Sequence, residues 1–156
     1  MIRSFRDTIA VVPDPDDAAT AFAPVDSLLW SERSLLQRLL YQLSAQELVI
    51  SAGRTEWLRD SDVEVRALVH DLQLHELARA TETDALAARY GLPPAAPLRR
   101  IVAAAPEPWA TIMADHLHAL RELQDAIDHT AERNAALLRE LRDREPFRHG
   151  PDGPPR

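Results

Sequence analysis

Apolar residues in the C-terminal third of the chain recur at alternating steps of three and four. Trp109, Met113, Leu120, Leu123, Ile127, Leu137 and Leu141 fall on one line, interrupted only by His116, Thr130 and Asn134. That spacing predicts one long amphipathic helix from about Pro108 to about Asp143, with Pro108 suited to its first turn. A carboxamide among leucines costs stability unless it finds a partner, and its best-attested use is to fix register or partner choice. The expectation for Asn134 is therefore an edge position on an open groove, hydrogen-bonding a partner when one is bound.

A second helical pattern opens at Asp26 or Ser27, either of which suits an N-cap. In "DSLLWSERSLLQRLLYQLSAQELVISAG" the apolar positions are Leu28/Leu29, Leu35/Leu36, Leu39/Leu40, Leu43 and Val49/Ile50. Doubled leucines widen the stripe beyond a two-position seam, so this helix should touch more than one neighbour. Glu47 falls at the edge of the stripe, where an arginine partner is expected. Gly53 either kinks or ends the helix. A third pattern follows, with Val65, Leu68/Val69, Leu72, Glu76/Arg79, Leu86 and Tyr90 facing inward and Gly91 as its stop. "LRRIVAAA" allows two further turns before "PEP".

The flanks read differently. Residues 1–26 include "VVPDPDDAATAFAPVD", whose three prolines and four aspartates disfavour regular structure, although Ile9, Val11 and Val12 could form a short extended segment. Residues 144–156, rich in Pro and Gly, read as a disordered tail. The expected architecture is all-α: an elongated, coiled-coil-like antiparallel bundle over 27–143, of three long-to-medium helices plus a short one. The last helix is expected to be the longest, with Thr130 to Leu141 overhanging its partners as an uncovered apolar surface.

Composition narrows the chemistry. The net charge of −7 and the lack of an arginine–aromatic patch disfavour nucleic-acid binding. All eighteen basic residues are arginines, and there is no cysteine, which removes disulfides, thiolate metal sites and Cys nucleophiles. No segment approaches the length of a membrane span or a signal peptide's apolar core, so a soluble cytoplasmic protein is expected. His116 and His118 point to different sides of a helix, His70 and His75 are poorly spaced, and no Glu-x-x-His occurs, so no metal is expected. His116 lies on the seam, where a satisfied, partly buried histidine is expected. No nucleophile elbow, phosphate loop or dinucleotide fingerprint is present, so neither catalytic residues nor cofactors are expected.

From Leu28 to about Leu141 the chain resembles the flagellar FlgN-type export chaperones. The likeness rests on four pieces in order: "LLWSERSLLQRLLYQLSAQELVI", "LHELARATETDALAARYGL", "LRRIVAAAPEPW" and "LRELQDAIDHTAERNAALL". In the last piece Asn134 stands three and four residues before Leu137 and Leu138. The resemblance implies a small acidic cytoplasmic helical protein without cofactor or catalysis. Such a protein keeps hook-associated subunits soluble and escorts them to the flagellar type III export apparatus. It places cargo binding, through helical terminal segments of the subunits, on the C-terminal helix. Here that helix would use Leu123, Ile127, Ala131, Asn134, Leu137, Leu138 and Leu141. The Pro/Asp-rich leader, the Pro/Gly-rich tail and the absence of lysine depart from the family pattern. A possible homodimer, and the alternative of a structural coiled-coil protein that self-associates through the same face, predict a concentration-dependent dimer without cargo.

Overall fold

The computed structural model of the protein describes residues 15–144. Four helices follow one another: α1 (Pro15–Ser51), α2 (Leu58–Arg89), α3 (Leu98–Ala104) and α4 (Trp109–Arg144), with a single 3-10 turn at Thr55–Trp57 before α2. No strand occurs among the described residues. The fold is an all-α bundle. The extended segment considered at Ile9–Val12 and nearly all of the Pro/Gly-rich tail lie outside the described residues.

The first helix begins eleven residues before Asp26, so the leader is not irregular up to residue 26. Pro15 occupies the helix start, where its missing N–H is no loss and its fixed φ is already helical. Asp16 and Asp17 follow in the first turn, where carboxylates favour the positive end of the helix. Phe22, Val25 and Leu29 are completely buried on the inner face. Their burial, at roughly 1.5–3 kcal/mol each, outweighs the interior Pro24, which is exposed on the opposite side. Composition predicted irregularity; tertiary burial overrides it.

Gly53 ends α1 rather than kinking it. It has a φ of +66°, its N–H donates to the Ile50 carbonyl, and the Arg54 N–H donates back to Val49. That pair of bonds is the Schellman cap, which needs a left-handed residue and so favours glycine. Gly91 closes α2 in the same way, with Leu92 N–H returning to Ala87.

Cross-helix pairs fix the directions. Asp17 pairs with Arg89, Leu28 with His75, Glu32 with Arg79 and Gln46 with Asp62, so α2 runs antiparallel to α1. Asp26 pairs with His116, Leu43 with Asn134 and Glu47 with Arg133, so α4 runs parallel to α1. The expected arginine partner of Glu47 is thus Arg133. α1 packs along both α2 and α4, yet the backbones of α2 and α4 nowhere approach within 8 Å of each other. The wide leucine stripe of α1 serves two neighbours that stand apart.

The core falls into two clusters. The first gathers Phe22, Val25, Leu29, Leu86, Ala87, Ile101 and Met113, drawn from all four helices. Phe22 stacks on Trp109 with ring centroids 5.5 Å apart, and Tyr90 tilts against it at 5.4 Å. The second cluster is thinner: Leu39, Leu43 and Leu68 are buried, with Leu35, Val65, Leu72 and Ile127 partly buried around them.

Candidate functional site

Because α2 and α4 both lean on α1 without meeting, a cleft opens between them along the middle of the bundle. Leu36 and Leu39 of α1 form its floor. Val69, Leu72, Gln73 and Glu76 of α2 make one wall, and Gln124, Ile127 and Asp128 of α4 make the other. Glu32 closes one end, and the volume is about 320 Å³. The floor and lower walls are apolar, while Glu32, Glu76 and Asp128 place carboxylates around them. A cleft of this kind takes side chains laid in from one face of a helix, with basic groups along that helix's edges.

Glu32 is the most constrained of these acids. It is 8% exposed, and burial holds its pKa above the usual carboxylate range, opposed chiefly by the nearby Arg79 guanidinium. Arg79 Nε lies 2.8 Å from Glu32 Oε2. Its N–H is not aimed at that oxygen, so the contact is an ion pair rather than a directed hydrogen bond.

The residues expected to bind cargo divide by face. Ile127 lines the cleft, and Ala131 and Leu138, spaced four and eleven residues further on, continue its side of α4. Ala131 is exposed and Leu138 half-buried. Leu123, Asn134, Leu137 and Leu141 fall on the side that packs on α1. Asn134 is only 3% exposed. Its Nδ2 donates to the Leu43 carbonyl at 2.8 Å and to Gln46 Oε1 at 3.2 Å. Gln46 Nε2 in turn donates to Asp62 Oδ1 at 2.8 Å, so one polar chain pins α4 to α1 and α1 to α2. Asn134 therefore does not sit hydrated at a groove edge; it fixes helix register inside the bundle.

Nor does the end of α4 overhang its partners. The parallel register that bonds Asn134 to the Leu43 carbonyl carries the last turns of α1 alongside the end of α4. Ile50 and Ser51 lie beside Leu137 and Leu141, enclosing a smaller pocket of about 220 Å³ with Glu140 and Arg144. The leucines of α1 and α2 in the cleft were legible as helix faces but not as site residues. The width of the α1 stripe was the available signal.

A larger cavity of about 440 Å³ lies elsewhere on the α1–α4 pair, lined by Trp30, Arg33, Ile112, Asp115, His116, His118 and Ala119. Four of those seven residues are charged or imidazole, and the cavity lacks the leucine floor of the cleft. His116 behaves as a packed core histidine: it is 1% exposed, lies edge-on to Trp30, and bonds Asp26 Oδ1 through Nε2 at 2.9 Å. No group of three or more His, Asp or Glu side chains among the described residues is placed to hold a metal ion. No described helix is long and apolar enough to cross a membrane.

Residues 23–144, spanning nearly the whole described bundle and the cleft, match the model of the family described as FlgN protein. The chain is a member of the FlgN family. FlgN membership carries with it a general role as a chaperone of flagellar export. No curated protein and no solved structure gives a match to the chain. The FlgN match begins at Ala23, so the family region takes in residues 23–26 of the leader, with the buried Val25, and leaves out the earlier turns of α1.

Proposed function

We propose that the protein is a cytoplasmic flagellar type III export chaperone that receives a helical terminal segment of a hook-associated protein in the cleft between α2 and α4. The observation that carries this reading is the cleft's apolar floor: Leu36 is half-buried and Leu39 buried beneath it, between two helices whose backbones stay more than 8 Å apart. Cargo would use Ile127, with Ala131 and Leu138 beyond it, on one wall and Val69 and Leu72 on the other. Leu123, Asn134, Leu137 and Leu141 would support α4 from behind. Glu32, Glu76 and Asp128 favour a cargo helix with basic residues beside its apolar stripe. A cation seated near Glu32 would also relieve the cost of keeping that carboxylate ionised in a buried place. Ordering a disordered cargo segment costs several kcal/mol of the gross contact energy, which keeps affinity moderate and handover at the export apparatus feasible.

The test is co-expression with hook-associated subunits followed by size-exclusion chromatography. The wild-type protein should co-elute with one of them and Ile127→Asp should not. Absence of co-elution for the wild type, or equal co-elution of a folded Ile127→Asp protein, contradicts the reading.

A further inference from the structure

α2 is apolar on two opposite faces. Its inner face, with Val65, Leu68, Leu72 and Leu86, packs into the two cores. Its outer face carries Val63, Ala67, His70, Leu74, Leu77 and Thr81, all exposed. Val63 is 56%, Leu74 57% and Leu77 71% accessible. Isolated exposed leucines are ordinary on protein surfaces. These residues instead follow steps of four, three, four, three and four, which is the spacing of a coiled-coil seam.

The flanking charges are ordered as well. With Ala67, Leu74 and Thr81 at a positions and Val63, His70 and Leu77 at d positions, Arg59 and Arg66 occupy successive g positions. Glu64 and Asp71 occupy the successive e positions. Arg59, Glu64 and Asp71 have no ion-pair partner among the described residues. Arg66 stays on its own helix, its Nε donating to the Asp62 carbonyl at 3.3 Å and its only carboxylate contact a loose one to Asp62 at 3.9 Å.

We propose that the outer face of α2 binds a second copy of this chain, α2 against α2 in parallel. In a parallel pair each g residue faces the e residue five positions further on in the other helix. Arg59 then meets Glu64 of the second copy, and Arg66 meets Asp71 of the second copy, each twice by symmetry. An antiparallel pair sets g against g and e against e, which brings arginine against arginine and acid against acid. The g and e charges thus fit an identical chain in the parallel direction, with Asp60 opposite its own copy at the first a position as the one opposed pair. Val69 and Leu72 lie off this seam and remain in the cleft wall, so the pairing neither requires nor excludes the chaperone reading.

Sedimentation of the full chain tests the proposal, across protein concentrations of about 1–200 μM. The wild type should form a reversible dimer. Arg59→Glu with Arg66→Glu, and separately Glu64→Arg with Asp71→Arg, should each raise the dimer Kd at least about tenfold, and mixing the two proteins should restore dimerisation. Recovery on mixing also shows that both variants are folded. Since the chain has no cysteine, Asp60→Cys, at an a position, should give a covalent dimer with oxidised glutathione only if the helices run parallel. A monomeric wild type overturns the proposal. So does a dimer that survives Leu74→Asp with Leu77→Asp, a mixture that stays monomeric, or an Asp60→Cys dimer that does not cross-link.

Discussion

At the end where α1 begins, four helices converge on Phe22, Val25, Leu29, Leu86, Ala87, Ile101 and Met113, with Trp109 and Tyr90 stacked around them. In the other half, three buried leucines and a short polar chain, Asn134–Gln46–Asp62, hold the same helices together. At the first end α3 packs against both α2 and α4 and completes the core. The second lets α2 and α4 stand apart, and the cleft lies where the thick core gives way to the thin one. The larger, aromatic part of the core is gathered at one end of the bundle, and the leucine-floored cleft lies beyond it.

The largest effect should come from the first end. Phe22→Ala removes a fully buried ring from the aromatic stack and should cost about 3–5 kcal/mol, enough to unfold much of the protein; denaturant melts would register it. Cutting the chain at residue 27, where composition places the end of the leader, should be at least as damaging. Wild-type-like stability of either protein would show that the two halves are not unequal in the way described.

In the thin half the polar chain should matter by its chemistry more than by its size. Asn134→Asp puts a carboxylate against the Leu43 carbonyl and Gln46 Oε1, and should cost about 2–4 kcal/mol. Asn134→Leu removes the hydrogen bonds but also a buried Oδ1 that has no partner, so it should lie within about 1 kcal/mol of wild type. Equal losses in the two variants, read from urea melts, would remove the register role assigned to Asn134.

Smaller still is the effect of Glu32, where the two halves meet. Its folded pKa lies above the ordinary value of 4.5, first because of burial. Stabilisation from this group is therefore fully present below the unfolded pKa, where the carboxyl is protonated, and is lost as pH rises through the folded pKa. Thermal melts from about pH 4 upward should show Glu32→Gln gaining on the wild type across that window. A constant difference between the two proteins would mean that Glu32 titrates normally.

Much of this organisation was legible in the sequence. Leucine spacing gave the helices, Gly53 and Gly91 their stops, and the doubled leucines of α1 its two neighbours. The start of α1 was not legible, because Pro and Asp composition hides the fact that Phe22 and Val25 share the line of Leu29. Asn134 was misread for a related reason: periodicity put it on a seam, but only the register against Leu43 and Gln46 shows which helix covers that seam. The division of the expected cargo residues into a cleft side and an α1 side follows from the same register, and single-helix periodicity does not contain it. The outer seam of α2 was present in the sequence throughout, hidden because apolar residues on both faces blur the amphipathic pattern.

The central claim is that cargo meets α2 as well as α4. Val69 lines the cleft on α2, lies off both the folded core and the outer seam, and is 40% exposed, so Val69→Asp should leave the melting temperature nearly unchanged. Calorimetric titration with the helical terminal segment of the co-eluting hook-associated protein should show Val69→Asp binding at least about tenfold more weakly, about 1.4 kcal/mol. Unchanged affinity in Val69→Asp, with affinity lost in Ile127→Asp, would place cargo on α4 alone and contradict the cleft.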